Sequence, residues 1–311
     1  HPQLAGFLQE YLSQEKVTRF GERFVVNTHF PPFPSPAFDN LVAQFDRIGA
    51  PTGQRLHSVT LAVTNRCPYR CWHCYNAGRC QQDLSLEQLR GVAGQLQDLG
   101  TVMVALSGGE PLLRDDLEDL AAAFDERTCV TLNTTGYRLT PQRAQSLRAS
   151  GVFALGVSLD SADAQEHDRL RGHPGAYRVA LDALRMAADS ALYPYVVAVA
   201  TRQFLQEAPF REFVDLVAGA GAREIHLLEP CPSGRLAGHE DVVLDAASRQ
   251  RLLDYQREFA QREELPVLSS FAYLEAADRF GCGAGLTHLY VDGSGEVCPC
   301  NLVPLSFGNV G

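Results

Sequence analysis

The strongest constraint on the fold is an alternation of short β-branched runs with longer amphipathic stretches, which begins at Ser58. Strand-like runs occur at residues 58–63, 102–106, 129–132, 153–159, 195–200 and 224–228, and helix-like stretches at 86–99, 115–124, 141–149, 176–188 and 209–220. Strands that alternate with helices pair in parallel through right-handed crossovers. The sequence therefore predicts an α/β fold, a partial (β/α)6 TIM-like barrel.

We assign residues 51–240 to the barrel core and expect a separate region on either side of it. Residues 1–50 contain a short helical piece and then the stretch NTHFPPFPSPAFDN, whose prolines exclude regular structure. We expect this N-terminal arm to pack over the barrel or to form a flexible leader. Residues 241–311 contain a long helix at about 246–262, followed by a small cysteine-bearing hairpin region.

Charge and cysteine usage exclude several classes of protein. The net charge of −10 argues against a nucleic-acid partner, and no run of about 18 apolar residues predicts a membrane span. The nine cysteines are odd in number and clustered, whereas a secreted disulfide scaffold is usually short and has an even number. We therefore expect a cytoplasmic protein whose thiols stay reduced.

Three thiols follow the first strand directly, with the spacing C-x3-C-x2-C, at Cys67, Cys71 and Cys74. In such barrels the chemistry collects at the C-terminal ends of the strands, so the thiols fall on that edge. Three thiolates fill three corners of a cubane 4Fe–4S cluster and leave one iron open for a substrate or cofactor. A structural zinc site needs four ligands, and Cys80 could supply the fourth, so a zinc-binding interaction protein remains an alternative.

A second motif, SGGEPLLR, comes immediately after the second predicted strand, at residues 107–114. Gly108 and Gly109 let the backbone approach a ligand closely, and Glu110 adds an acceptor beside exposed amides. Such a turn is a weak signal alone. Its position on the same edge as the cysteines, one strand–helix unit later, makes it a stronger indication of a binding site.

Together, C-x3-C-x2-C and SGGEP resemble the radical S-adenosylmethionine (radical SAM) superfamily, over about residues 56–235. NTTG at 133–136 and SLDSADAQEHDRLRG at 158–172 are similar to the family's third- and fourth-strand segments. The resemblance implies a 4Fe–4S cluster on Cys67, Cys71 and Cys74 whose open iron binds the amine and carboxylate of S-adenosylmethionine. It also implies a set of candidate contacts to that cofactor: Gly108, Gly109, Glu110, Asn133, Ser158, Arg171 and His73.

The resemblance implies an oxidoreductase or maturase that cleaves S-adenosylmethionine reductively and abstracts a substrate hydrogen through the 5′-deoxyadenosyl radical. Its partners would be a reductant such as ferredoxin or flavodoxin, and a substrate such as a peptide, a tetrapyrrole or another natural-product precursor. No catalytic acid or base is identified. A non-catalytic iron–sulfur protein for electron transfer or sensing is the alternative, although it would need neither SGGEP nor Ser158 and Arg171.

The C-terminal cysteines, Cys282, Cys298 and Cys300, flank the hairpin sequence VDGSGEV. This stretch resembles the start of the auxiliary-cluster region called SPASM or twitch, which implies an auxiliary Fe–S cluster with Cys282 and Cys300 as ligands and Cys298 at a variable position. The full pattern needs more cysteines, and the sequence ends 11 residues after Cys300. We expect that the natural protein continues or that another residue, such as Cys231, lends a ligand; a zinc knuckle or plain buried thiols are the alternatives.

Overall fold

The structure, a computed structural model, describes residues 15–45, 56–80, 82–274 and 281–310. The first elements of the described chain are a hairpin of β1 (Thr18–Phe20) and β2 (Arg23–Val25), followed by the helix α1 (Pro36–Phe45). The short helical piece predicted before this hairpin lies outside the described residues. Within the described ranges, no helix is long and apolar enough to cross a membrane.

Seven parallel strands then form the barrel wall and pair in the order of the sequence. They are β3 (Ser58–Thr64), β4 (Met103–Gly108), β5 (Cys129–Thr134), β6 (Val152–Ser158), β7 (Tyr193–Val199), β8 (Glu224–Leu228) and β9 (Val267–Ser270). The intervening helices are α2 (Leu86–Asp98), α3 (Leu117–Ala121), α4 (Pro141–Ala149), α5 (Ala164–Arg171), α6 (Ala176–Asp189), α7 (Glu207–Gly219) and α8 (Ala246–Gln261). Short 3₁₀ turns lie at Pro111–Leu113, Gly234–Leu236 and Glu240–Val242, and α9 (Phe271–Leu274) follows β9. The predicted partial α/β barrel is confirmed, with β9 as an additional strand.

The helices begin where local chemistry favours a start. Ser85 and Gln88 form a capping box at the first turn of α2, each side chain accepting from the other's backbone N–H. Thr140 caps α4, and Pro141 occupies a first-turn position where a missing N–H costs nothing. Leu89, Val92 and Leu96 recur at helical spacing along α2 and are buried against the outer face of the sheet.

The described part of the N-terminal arm, residues 15–45, covers the N-terminal ends of the barrel strands. Val25 and Leu41 pack in one apolar cluster with the first residues of three strands, Met103, Cys129 and Tyr193. Cys67, Cys71 and Cys74 lie at the opposite edge, after the C-terminal end of β3. The expectation that the prolines exclude regular structure here is wrong at α1, because Pro36 occupies the first turn of that helix, where proline is tolerated.

A C-terminal hairpin of β10 (His288–Val291) and β11 (Val297–Cys298) continues the sheet at the edge of β3. β10 runs parallel to β3, with Tyr290 opposite Thr60. The hairpin turn docks on the residues that follow β3: the Gly293 N–H donates to Asn65 Oδ1 over 3.1 Å, and a Cβ at Gly293 would lie 2.6 Å from the Asn65 nitrogen. The two cysteine-bearing regions are therefore neighbours in the fold.

Candidate functional site

The cysteine loop (residues 65–80) leaves the C-terminal end of β3 and is pinned by the end of α5. The Arg70 N–H donates to Arg171 O, and the Trp72 N–H donates to Leu170 O, both over 3.0 Å. Gly172 ends α5 at φ +59°, and a Cβ there would lie 2.7 Å from Arg70 O. This close approach requires a residue without a side chain. The C-terminal end of α5 therefore packs on the cysteine loop through the glycine at position 172.

Gly108 and Gly109 bring the end of β4 against the start of the cysteine loop. The Gly109 N–H donates to Thr64 O and the Glu110 N–H donates to Arg66 O, each over 2.8 Å. A Cβ at Gly108 would lie 2.2 Å from Thr64 O, and one at Gly109 would lie 2.0 Å from Arg66 O. Because these amides already have partners and an ammonium is itself a donor, any backbone contact to an amino group here falls to the carbonyl oxygens.

Glu110 is fully buried and joins the β4 and β5 ends of the site. Its Oε1 accepts from Leu112 N and Thr134 Oγ1, and its Oε2 accepts from Thr135 N and Thr135 Oγ1, over 2.6 to 3.0 Å. Burial raises the pKa of the carboxyl, while the hydrogen bonds from the two threonines oppose that rise. The sequence did not identify Thr134 and Thr135 as partners, although both belong to the NTTG stretch.

Arg171 contacts both a cysteine and a buried aspartate that the sequence did not single out. Its Nη1 lies 3.8 Å from Cys71 Sγ, and its Nε lies 2.9 Å from Asp160 Oδ2. Burial alone would raise the pKa of Asp160, but the Arg171 guanidinium, with smaller effects of His73 and His167, holds that pKa below its ordinary value. Asp160 lies two residues after β6, so this ion pair ties the β6 end to the C-terminal end of α5, whose Arg171 also reaches Cys71.

His73 stands beside the same carboxylate. Its Nδ1 lies 4.0 Å from Asp160 Oδ2, and burial lowers its pKa to about 4, so the ring is neutral near pH 7. The nearby His167 accepts the Asp160 N–H at Nδ1 over 3.1 Å. Among the described residues, the buried atoms His73 Nδ1 and Trp72 Nε1 have no hydrogen-bond partner.

Asn133 and Ser158 lie on the inner face of the barrel wall. Tyr195 Oη donates to Asn133 Oδ1 over 2.7 Å. Gly156 of β6 lies between these two residues, since it pairs with Asn133 of β5 on one side and with Tyr195 of β7 on the other. A Cβ at Gly156 would lie 2.5 Å from Asn133 Oδ1 and 2.3 Å from the Tyr195 ring, so the pair depends on that glycine. Ser158, two residues beyond Gly156 in β6, points to the same side of the sheet.

The three thiols of the cysteine loop suit an iron–sulfur cluster. The Tyr69 N–H lies 3.4 Å from Cys67 Sγ, and the Arg171 guanidinium reaches Cys71 Sγ, so donors face two of the sulfurs. No three His, Cys, Asp or Glu side chains of the described chain are arranged to hold a single metal ion. In a cubane each thiolate binds a different iron, which spaces the ligands more widely than around one ion. An iron–sulfur cluster with a polar co-ligand would fit the three thiols, the hydrogen-bond donors that face two of them, and the unpartnered Trp72 and His73 nitrogens.

The C-terminal cysteines lie against the other side of the cysteine loop. Cys298 is 1% exposed and packs with Ala62 and Tyr290. The guanidinium of Arg79 lies over the Tyr290 ring, 4.6 Å from its centre, and its Nη1 is 3.9 Å from Cys298 Sγ. The Gly285 N–H donates to Pro299 O over 3.1 Å, which brings the segment after Cys282 to the residue before Cys300.

Comparison with known proteins places this geometry in context. The family model described as the radical SAM superfamily matches residues 61–217. An AdoMet-dependent heme synthase from Nitratidesulfovibrio vulgaris is 27% identical over 275 residues, covering 80% of this chain and 74% of that protein. A PqqA peptide cyclase from Rhizobium meliloti is 31% identical over 264 residues, covering 80% of this chain and 69% of the cyclase.

The fold matches a solved structure as well. Streptococcus suis SuiB bound to S-adenosylmethionine aligns with a TM-score of 0.66 at 18% identity, covering 79% of this chain. The alignment spans 60% of the SuiB chain. At this identity the likeness concerns the fold, and it agrees with the partial barrel described above.

Proposed function

Because the chain belongs to the radical SAM superfamily, we propose that it is an oxidoreductase or maturase that abstracts a hydrogen atom from a peptide or another natural-product precursor. The family's cofactors are a 4Fe–4S cluster and S-adenosylmethionine. Its relatives include a heme synthase and a peptide cyclase, which supports a tetrapyrrole or peptide as the substrate class. Family membership favours this function over a zinc-binding or purely electron-carrying protein.

The observation that carries the proposal is the position of the cysteine loop at the C-terminal end of β3, where the Arg171 guanidinium lies 3.8 Å from Cys71 Sγ. Cys67, Cys71 and Cys74 would hold the cluster. When bound, the cluster and S-adenosylmethionine together supply one electron and the 5′-deoxyadenosyl radical. The chain contributes the cation of Arg171 beside one thiolate, and Asp160 orients that cation from the other side.

The cofactor pocket would lie between the cysteine loop and the ends of β4, β5 and β6. Gly108 and Gly109 shape the backbone there, and Glu110 fixes the β4 end to the β5 end through Thr134 and Thr135. Asn133 and Ser158 line the inner face just below. The neutral ring of His73 adds a flat side chain at the same edge, in keeping with a position near the adenine.

The barrel interior would exclude water and competing hydrogen donors. The N-terminal arm covers the far ends of the strands, where its Val25 and Leu41 pack against Met103 and Tyr193. His29 of the arm contacts the His226 ring at 4.4 Å, and the His29 carbonyl lies 3.0 Å from His57 Nε2. The arm therefore bridges the β3 and β8 sides, and the substrate would enter from the cysteine edge.

The test is anaerobic reconstitution followed by measurement of 5′-deoxyadenosine. The reconstituted protein should bind iron. After reduction by dithionite or by flavodoxin, it should release 5′-deoxyadenosine from S-adenosylmethionine. The triple variant Cys67→Ala, Cys71→Ala, Cys74→Ala should release none, whereas Cys129→Ala, a buried thiol in β5, should behave like the parent. Release of 5′-deoxyadenosine by the triple variant would rule out the proposed assignment.

A further inference from the structure

An aromatic cluster lies where the cysteine loop meets the residues that follow β5 and α5. The rings of Tyr69 and His173 stack with their centres 4.2 Å apart and their planes 18° apart, and the Tyr137 ring lies 6.2 Å from each. Tyr69 also packs with Cys71, and Cys74 and Tyr137 pack against the same group. Because Tyr137 and His173 are only half-buried, this packed group extends from two thiols of the C-x3-C-x2-C motif to the protein surface.

Two arginines border this aromatic cluster. Arg70 follows Tyr69 in the cysteine loop, and the Arg138 guanidinium lies over the Tyr137 ring, 5.4 Å from its centre. Both arginines are exposed, and neither forms an ion pair within the described ranges. Arg138 adopts φ +61°, a backbone conformation that is uncommon outside glycine and that concentrates at functional sites. We call the surface formed by Arg70, Tyr137, Arg138 and His173 the basic rim.

The acidic side chains of the neighbouring helix α5 are already engaged. Glu166 pairs with Arg169 over 2.7 Å, and the Asp168 carboxylate accepts the N–H groups of Gly175 and Tyr177. The acids of α5 therefore do not neutralise the two rim arginines. The rim is locally positive although the whole chain has a net charge of −10.

The charge and the packing of the basic rim together favour one kind of partner. A positive surface speeds the approach of an acidic partner and selects for it, and tyrosine and arginine are enriched at protein interfaces. An acidic substrate peptide would match the charge but would not need packed contact with the thiols. An electron carrier does need that contact, because its electron has to reach a cluster on those thiols. Electron-transfer complexes also form small interfaces, which a rim of four side chains suits.

We propose that the basic rim is the docking surface for an acidic one-electron carrier protein of the flavodoxin kind. In each encounter one electron passes from the reduced carrier to the cluster on Cys67, Cys71 and Cys74, and no bond forms or breaks. The rings of the aromatic cluster fill the space between the two centres and are not themselves oxidised. The inference rests on the proposed function, because it requires an iron–sulfur cluster on that motif.

The first measurement is the affinity of the reconstituted protein for a flavodoxin, by calorimetry at low and at high salt. The double variant Arg70→Gln, Arg138→Asn removes both cations, and asparagine tolerates the left-handed backbone at position 138. It should bind several-fold more weakly than the parent at low salt, and its affinity should depend less on salt. Arg223→Gln is the matched control and should bind like the parent, because Arg223 is an exposed arginine just before β8, at the opposite edge of the barrel.

The second measurement is the rate of 5′-deoxyadenosine formation with reduced flavodoxin and, separately, with dithionite. Dithionite needs no docking surface, so the ratio of the two rates should fall in the double variant and stay at the parent value in Arg223→Gln. An unchanged affinity for flavodoxin in the double variant would overturn the proposal. An equal fall of both rates would overturn it too, and would assign the rim to the substrate or the cofactor. Failure of the proposed function looks different, since the parent would then release no 5′-deoxyadenosine even with dithionite.

Discussion

The Arg171 guanidinium lies 3.8 Å from Cys71 Sγ and forms an ion pair with Asp160 at 2.9 Å. Both partners of this pair are nearly inaccessible, with side-chain exposures of 6% and 2%. One buried cation thus serves a thiol from the cysteine loop and a carboxylate from the end of β6. With a cluster on Cys71, as proposed, this contact would give Arg171 a role beside a cluster ligand, in addition to the contact to S-adenosylmethionine that the family resemblance implies.

Replacing Arg171 should change the reduction potential of the cluster that we propose on Cys67, Cys71 and Cys74. Reduction adds negative charge, so Arg171→Gln should lower the midpoint potential, and Arg171→Lys should lower it less. A hydrogen bond to a charged group contributes about 1.5 kcal/mol. Taking half of that as the difference between the redox states gives a shift on the order of 30 mV. A redox titration followed by electron paramagnetic resonance measures it.

The matched control for this prediction is Arg169→Gln on the same helix. Arg169 pairs with Glu166 at the surface and is 68% exposed, so its loss should leave the potential unchanged. Equal potentials for the Arg171→Gln and parent proteins would contradict the inferred contact with the cluster ligand.

Gly109→Ala should disrupt the cysteine loop. The new Cβ would lie 2.0 Å from Arg66 O, which is backbone and cannot rotate away. We expect a loss of about 3 kcal/mol in the free energy of unfolding and a several-fold lower iron content after reconstitution. Denaturant unfolding and iron analysis measure the two effects.

Gly91→Ala provides the opposite case. Gly91 lies in α2, and a Cβ there would meet nothing within 4 Å. Alanine at an exposed helical position should stabilise the protein by about 0.5–1 kcal/mol without changing the iron content. A similar loss of iron in both variants would mean that the close approach at Gly109 is not what shapes the loop.

The sequence predicts the elements that local pattern determines and misses those that depend on distant partners. The β3 to β8 runs are short and consist largely of apolar and β-branched residues, and their predicted positions are confirmed within about two residues. The β9 segment, VLSS, is short and half polar, and α5, AQEHDRLR, has few apolar residues, so neither carries a clear pattern. The parallel pairing of β10 with β3 joins opposite ends of the chain and leaves no local signal.

The candidate site divides in the same way. The spacing of Cys67, Cys71 and Cys74 and the glycines at 108 and 109 are local features, and the structure brings them together at the C-terminal ends of β3 and β4. Asp160 was missed because its meaning depends on Arg171, which comes from a different element. The hydrogen bond from Ser233 Oγ to Leu302 O is equally nonlocal, because it joins residues 69 positions apart.

Glu110→Gln separates a structural role of this residue from a cofactor contact. The amide would place a donor against the donors of Thr134 or Thr135, leaving a buried group unsatisfied at a cost of about 1–3 kcal/mol. If Glu110 also contacts the amino group of S-adenosylmethionine, the affinity of the cluster-loaded protein should fall by a further tenfold or so, as calorimetry would measure.

Glu118→Gln is the control, because Glu118 pairs with Arg143 outside the site over 3.0 Å. Glu118→Gln should strongly change neither the free energy of unfolding nor the affinity for S-adenosylmethionine. Lower stability of Glu110→Gln with unchanged affinity would assign the residue to holding β4 and β5 together and nothing more.

Glu224, the first residue of β8, should make stability depend on pH. Burial raises its pKa from 4.5 to about 7, although Thr28 and Ser269 donate hydrogen bonds to it. The folded state therefore keeps a proton that the unfolded chain releases, so this contribution is complete below about pH 4.5 and is lost as the pH rises through about 7. The loss amounts to about 3 kcal/mol. The His226 pKa, which burial lowers to about 4, acts in the opposite sense between about pH 4 and 6.5. The measurement is therefore the difference in unfolding free energy between the parent and Glu224→Gln across pH 5–8, and a difference that does not vary with pH would refute it.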